Sequence, residues 1–174
     1  MRQAKFAVDK EMTLLQSTLE SLRDRLDAAF RAADPRSEAS VVLTNAVDLD
    51  GRVSESARNK IVMMLVGLQS DPAMRNLLEG PAAGDRFAKA APPFNVNARV
   101  LFAANFSDSN YPAGLGLLSR TIAFFHQNPV FTHDSLPGLA PEIDRIAMDF
   151  VDLTLSDTGD LMAMLGLRYM PCAL

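Results

Sequence analysis

The sequence has very few of the residues from which most metal and cofactor sites are built. It contains one cysteine, two histidines and no tryptophan among 174 residues. The lone cysteine, Cys172, cannot form an internal disulfide, which favours folding in a reducing compartment. His126 and His133 lie far from it along the chain, so the spacings of zinc sites and of cysteine nucleophiles are missing. We therefore predict no metal ligands, no bound cofactor and no catalytic residues.

Long apolar runs and concentrations of positive charge are also missing. The longest apolar run, from Ile61 to Leu68, is far shorter than the ~20 residues that cross a bilayer. Charged side chains interrupt the first eleven residues, which leaves no room for a secretory signal. The 17 lysines and arginines are scattered and the formal net charge is −4, which disfavours nucleic acid as a partner. We expect a protein that assembles in the cytoplasm and neither inserts into a membrane nor binds nucleic acid.

Length and composition predict one domain over residues 1–174, since 48% of the residues are hydrophobic and 22% are charged. Apolar residues recur at steps of three and four from about residue 8 to 32, which predicts a long amphipathic helix. The ends, 1–8 and 169–174, are expected to be flexible. The stretch 70–93 is rich in proline and glycine and lacks any period, so we predict a mobile loop that orders against a partner.

Four segments have the pattern of β-strands. They are residues 40–47, 60–68, 94–106 and 143–155. The second is apolar without alternation and should be covered on both faces, whereas the third alternates strictly. A change of phase near residue 150 predicts a β-bulge in the fourth. A second helix should begin near Ser109 or Asn110 and end before Asn128, and its apolar residues 111, 115, 118, 122 and 125 should pack on the sheet. A short third helix should be capped by Ser156. The fold class is therefore α/β (α+β): one mixed sheet of about four to five strands, with the long N-terminal helix and the second helix packed on it.

Two local motifs resemble ligand sites only superficially. Residues 114–119 (GLGLLS) follow a strand and open a helix, but a serine stands where a dinucleotide-binding fold has its third glycine. Residues 48–51 (DLDG) resemble the middle of a calcium loop, but Ala46 and Ala57 occupy positions that require carboxylates. We interpret the first as a helix-sheet contact and the second as a solvated turn.

Asp149 and Asp152 lie on the fourth predicted strand, separated by Phe150 and Val151 across the expected bulge. This spacing does not place two carboxylates together. We interpret both as carboxylates at a rim or interface and not as an acid and base pair.

Five blocks of sequence, in their order and spacing, resemble a known family. They are residues 93–111 (PFNVNARVLFAANFSDSNY), 117–125 (LLSRTIAFF), 128–132 (NPVFT), 148–155 (MDFVDLTL) and 165–171 (LGLRYMP). Together they resemble the N-terminal domain of the tail-terminator, or cap, proteins of contractile injection systems, the phage-tail-like particles of the antifeeding-prophage type. The resemblance covers about residues 12 to 171.

The resemblance implies a homo-oligomeric ring of six subunits on the baseplate-distal end of the inner tube. The ring would terminate both tube and sheath, in a particle that is either released or anchored in a cell. It implies no catalytic residues. Three alternatives stay open: a phage neck or tail-completion protein, a generic protein-binding adaptor, and a small-molecule enzyme.

A ring requires two complementary patches on each subunit. One candidate is the partly polar face of the third strand, at Asn95, Asn97 and Arg99. The other is the tail at Tyr169, Met170 and Pro171, which we expect to pair with a strand edge of a neighbouring copy.

Overall fold

The computed structural model describes residues 3–34, 39–45, 47, 52, 54–70 and 95–164. The predicted mobile loop, apart from Ser70, lies outside these residues, as do the 48–51 turn and the 169–174 tail. The elements are α1 (Gln3–Ala33), β1 (Val41–Leu43), β2 (Lys60–Ser70), β3 (Val96–Asn105), α2 (Tyr111–Gln127), β4 (Val130–Phe131), β5 (Ile146–Ala147) and α3 (Leu155–Met164).

The strands form two sheets. The larger sheet has the order β1-β2-β3, and β1 runs parallel to β2 with Val41 opposite Ile61. Because this sheet is mixed, β3 runs antiparallel to β2. The smaller sheet pairs β4 with β5 in antiparallel fashion. The predicted fold class and both predicted helices are confirmed, and the five strands are divided between two sheets instead of lying in one.

The described residues divide between two compact units, the first within Met1–Met64 and Leu101–Leu174 and the second within Leu65–Val100. In the first unit, all four residues 61–64 of β2 and all three residues 101–103 of β3 are buried. A strand that is buried at consecutive positions is covered on both faces, as the sequence predicted for β2. In the second unit, residues 68–70 and 96–99 are exposed.

The first unit is built around α1 and a cluster of phenylalanines. Helix α1 buries one stripe, and it already begins at Gln3, where the sequence predicted a flexible end. The buried apolar residues of that stripe are Leu19, Leu22, Leu26 and Phe30. The Phe125 ring lies 4.9 Å from Phe102 and 6.3 Å from Phe131, centroid to centroid. These separations are typical of favourable tilted and edge-to-face aromatic pairs, so the cluster connects β3, α2 and β4.

A buried carboxylate joins α1 to the beginning of β1. Asp27 Oδ1 accepts the backbone N–H groups of Ser40 at 2.7 Å and of Val41 at 3.2 Å. Its Oδ2 lies 2.7 Å from the Arg31 guanidinium, one turn further along the helix. The carboxylate therefore has a charged partner and two backbone donors, which is what a buried acid requires.

Helix α2 has the predicted ends, but its buried face differs from the predicted one. Apolar spacing suggested that residues 111, 115, 118, 122 and 125 face the sheet together. Leu118 and Phe125 are buried, along with Gly114, Leu117 and Thr121, whereas Tyr111, Leu115 and Ile122 are exposed. An α-helix turns about 100° per residue, so the spacing of apolar residues alone does not separate two neighbouring apolar stripes on the same helix. Gly114 belongs to the buried stripe, where the absence of a side chain leaves room for the Phe106 ring.

The two glycines of α2 have opposite expected responses to alanine. A Cβ at Gly114 would lie 2.8 Å from Phe106 Cδ2, whereas a Cβ at Gly116 would meet nothing within 4 Å. We expect Gly116→Ala to raise the free energy of unfolding by about 0.5–1 kcal/mol through helix propensity. Gly114→Ala gains the same propensity but crowds the ring, so it should be less stable than Gly116→Ala by about 1–3 kcal/mol. Urea unfolding of both variants measures this difference, and equal stabilities would contradict the close contact.

The predicted strand at 143–155 is wrong in extent, because only Ile146–Ala147 pairs as β5. Its partner β4 has two residues and follows directly on the end of α2. The backbone N–H of Met148 still donates to Pro129 O at 2.8 Å, but beyond it the partner chain is already turning into the helix. The strand-like pattern therefore continues past the end of the available ladder.

Helix α3 begins two residues earlier than predicted, and Thr154 caps it instead of Ser156. Thr154 Oγ1 accepts the N–H of Asp157 at 3.2 Å, and Asp157 Oδ2 accepts the N–H of Thr154 at 3.0 Å. This reciprocal arrangement is a capping box. The sequence contains two candidate hydroxyl residues two positions apart, and the acidic residue three places after Thr154 decides between them.

Candidate protein interface

The second unit presents a strand pair with two chemically different faces, formed by residues 65–70 of β2 and 95–100 at the start of β3. Arg99 lies over Gly67, whose Cβ would be 3.8 Å from Arg99 Cβ and Cδ. Arg99 also approaches Gln69, with 3.4 Å from its Nη2 to Gln69 Oε1. Alternation along a strand therefore places Gly67, Gln69, Asn97 and Arg99 on one face. This is the polar face of the strand pair.

The opposite face of the strand pair is apolar and exposed. It carries the even-numbered residues of both strands, among which Leu68 is 51% and Val96 is 40% exposed. Described residues of this unit include one basic side chain, Arg99, and no acidic one. The strand pair thus has an exposed apolar face and, on its opposite face, a positively charged side chain.

The residues that the sequence singled out for an interface fall in two groups. Asn97 and Arg99 are exposed on the polar face, and Asn95 is half-buried just before β3. Tyr169, Met170 and Pro171 lie outside the described residues, so the expected pairing of the tail stays a prediction.

The first unit carries an exposed surface at residues 149–153, for which the sequence indicated interface carboxylates but not exposed apolar side chains. We call it the acidic segment. Its apolar side chains point into solvent, with Phe150 50%, Val151 57% and Leu153 40% exposed. Asp149 and Asp152 are also exposed, as expected of interface carboxylates. Three large apolar side chains exposed within five consecutive residues are unusual on a protein surface. Its β-strand pattern was visible in the sequence, but its exposure was not.

Both ends of the acidic segment are held in place. At one end, Met148 is bonded to Pro129 and follows directly on β5. At the other end, the capping box at Thr154 fixes the first turn of α3. Between them, no hydrogen bond joins a backbone group of residues 149–153 to any described residue. The segment therefore has fixed ends and, among the described residues, a row of backbone donors and acceptors without a partner.

The charges around the acidic segment are mostly negative. Residues 142–160 contain six carboxylates and a single basic residue, Arg145. At Asp157, the hydrogen bond from the Thr154 side chain, assisted by that from the Thr154 backbone, holds the pKa below its usual range. Because the folded pKa is the lower one, the contribution of the cap is present above the unfolded pKa and is lost as pH falls through the folded pKa. The cap that anchors the segment at Thr154 is therefore formed at neutral pH.

A third exposed apolar surface follows the outer stripe of α2 at Tyr111, Leu115 and Ile122.

His126 lies in the last turn of the same helix and is exposed, a position at which a cation would meet the negative end of the helix dipole favourably. Asn128 caps this helix by donating its side-chain amide to Phe124 O at 2.8 Å. The 114–119 motif is part of the helix and packs through Gly114, as a structural contact.

Within the described ranges, no group of three or more histidine, cysteine, aspartate or glutamate side chains is arranged to hold a metal ion. None of the described helices combines the length and apolar character needed to cross a bilayer. What the described surface offers is exposed apolar side chains next to charge, which is the chemistry of contact with other proteins.

Residues 17–174 match the family described as the Pvc16 N-terminal domain. The match extends from within α1 over the rest of the chain and includes all five blocks that carried the resemblance in sequence. Comparison with curated proteins finds no match.

Proposed function

Because the chain belongs to the Pvc16 N-terminal domain family, which is related to contractile injection systems, we propose that it is the cap subunit of such a particle. The family membership makes it a structural protein of a phage-tail-like assembly. In the proposed role, six copies form a ring on the end of the inner tube farthest from the baseplate. The ring contacts the last layer of tube and sheath subunits and prevents further addition.

The observation that carries this proposal is the family match over residues 17–174. The exposed surfaces support it physically. A closed ring arises when one contact between unlike patches is repeated until the rotation closes, so each subunit needs two complementary patches. The strand pair and the acidic segment differ in charge and both expose large apolar side chains. The outer stripe of α2 is a further surface, suited to tube or sheath subunits.

The role consists of binding and needs no reaction, so the proposal includes no catalytic residue, metal or cofactor. It also includes neither nucleic acid nor insertion into a membrane. The subunit assembles in the cytoplasm, and the finished particle is then released or anchored in the cell.

The test compares particles produced with and without this protein, with a complemented strain as the control. Electron microscopy measures the tube and sheath lengths and the density at the baseplate-distal end. We expect narrow lengths and a ring at that end when the protein is present. Without it, lengths should broaden and sheaths should be lost.

Native mass gives the matching measurement on the isolated chain. A ring of six has six times the subunit mass of 18.9 kDa. Unchanged particle lengths and unchanged ends in the deletion strain would refute the cap role. A ring bound to a capsid connector would instead identify a neck protein, and a monomer that binds one partner at unit stoichiometry would identify an adaptor.

A further inference from the structure

We propose that the acidic segment of one copy adds as a strand to the outer edge of β3 at residues 96–100 of a second copy. This inference rests on the proposed ring and identifies the two surfaces that form its repeated contact. It predicts which side chains meet across that contact.

Both surfaces have backbone groups without a partner among the described residues. Residues 149–153 have no backbone partner among the described residues, although they follow β5 directly. β3 is the last strand in the order β1-β2-β3, so no described strand lies along its second edge. Each surface therefore has a row of donors and acceptors that the other can satisfy, as in the addition of a strand to an exposed sheet edge.

Side-chain alternation favours one orientation of the two strands. In the acidic segment, Asp149, Val151 and Leu153 fall on one side of a strand, and Phe150 and Asp152 fall on the other. In the strand pair, Val96 is on the apolar face and Arg99 is on the polar face. Placing Asp152 beside Arg99 puts Val151 and Leu153 next to the apolar face at the same time. A shift by one residue would exchange the two sides of the segment, so this match selects which side of the segment continues which face.

Charge and stoichiometry also favour a second copy as the partner. The acidic segment contributes two negative charges in a mostly acidic stretch, and the described part of the second unit contributes one positive charge and no negative one. Opposite charge favours the segment of another copy over a neutral chain. Each subunit has one such segment and one such edge, so the contact is heterologous and repeats from copy to copy, as a ring requires.

The experiment uses three charge variants of the full chain. In Asp152→Arg, the introduced cation faces Arg99. We expect the dissociation constant of the assembly to be about 30-fold higher than for the wild type, a weakening of about 2 kcal/mol. In the matched control Asp149→Arg, the substituted side chain is on the other side of the strand, so the weakening should be several-fold smaller. Combining Arg99→Asp with Asp152→Arg restores opposite charges and should recover most of the lost affinity. Analytical ultracentrifugation measures all three, and the exposed positions leave the fold intact.

A second measurement follows the backbone itself. In the assembled wild type, the N–H groups of residues 150–153 and of the β3 edge should exchange with solvent at least about 10-fold more slowly than in dissociated protein. Equal exchange rates in the two states would overturn the pairing.

The outcomes separate this inference from the cap proposal. If the wild type and Asp152→Arg assemble equally well, the pairing is overturned and the ring proposal is unaffected. An isolated wild type that stays monomeric at every concentration rules out a second copy as the occupant of the edge. The cap role is judged independently, by the lengths and ends of particles from the deletion strain.

Discussion

Replacing Asp27 with alanine is expected to lower the free energy of unfolding by about 3 kcal/mol. The loss has a specific cause. The carboxylate accepts the N–H groups of Ser40 and Val41 and pairs with Arg31, and Val41 is buried at the start of β1. Alanine leaves those backbone donors without an acceptor, and buried unpaired donors cost more than the net value of the bonds that satisfied them.

Asp24→Ala is the matched control for this prediction. Asp24 lies one turn earlier on α1, is exposed and is paired with Arg23 at 2.7 Å. Surface pairs of this kind contribute little, so the control should change the free energy of unfolding by no more than about 0.5 kcal/mol. Urea unfolding followed by circular dichroism measures both variants. Similar losses in the two would show that Asp27 does not hold β1 against the helix.

Phe131→Ala should have an equal or larger effect, about 3–5 kcal/mol. Phe131 is 1% exposed, and its ring centroid lies 6.1 Å from that of Phe124 and 6.3 Å from that of Phe125. Truncation therefore removes buried apolar area and leaves a cavity between α2 and β4. Packing in protein interiors is dense enough that neighbouring rings refill such a cavity only in part.

Phe150→Ala makes the same chemical change at a half-exposed position in the acidic segment. Its expected cost in the isolated subunit is below about 1 kcal/mol, because little area is removed from the interior. Thermal unfolding in dilute protein compares the two variants, and equal shifts in the unfolding temperature would contradict the burial described for Phe131. Assembly assays should give the reverse ranking, with Phe150→Ala losing affinity through the proposed contact.

The sequence allowed a reliable prediction wherever a local pattern and its packing partner lie in the same chain. Helix α2 is an example, since Pro112 in its first turn and Asn128 at its end mark both boundaries by local chemistry. The covering of residues 61–64 of β2 on both faces was predictable because a run of consecutive apolar residues has no solvent-facing side. It does not extend over the whole run, because residues 65–67 are half-buried and Leu68 is exposed.

The acidic segment shows why the rest was not predictable. Its pattern of apolar and acidic residues indicates a tendency to pair as a strand, but the pattern does not say where the partner is. In the subunit, β4 ends after two residues, so the tendency is unsatisfied within the described chain. The buried face of α2 was missed for a related reason. Both stripes of the helix are apolar, and the one that packs contains Gly114, where there is room for the Phe106 ring. Among the interface candidates, the exposure of Asn97 and Arg99 fits the prediction, and their role in assembly stays a prediction.

The spacing of the two acids at 149 and 152 has a consequence for the subunit before it assembles. An exposed apolar strand is a site of aggregation, and charged side chains within it oppose indiscriminate association. Two identical acidic segments that met each other would bring four carboxylates together, which repel at neutral pH. The two carboxylates thus disfavour pairing between two copies of the segment and favour a surface of opposite charge.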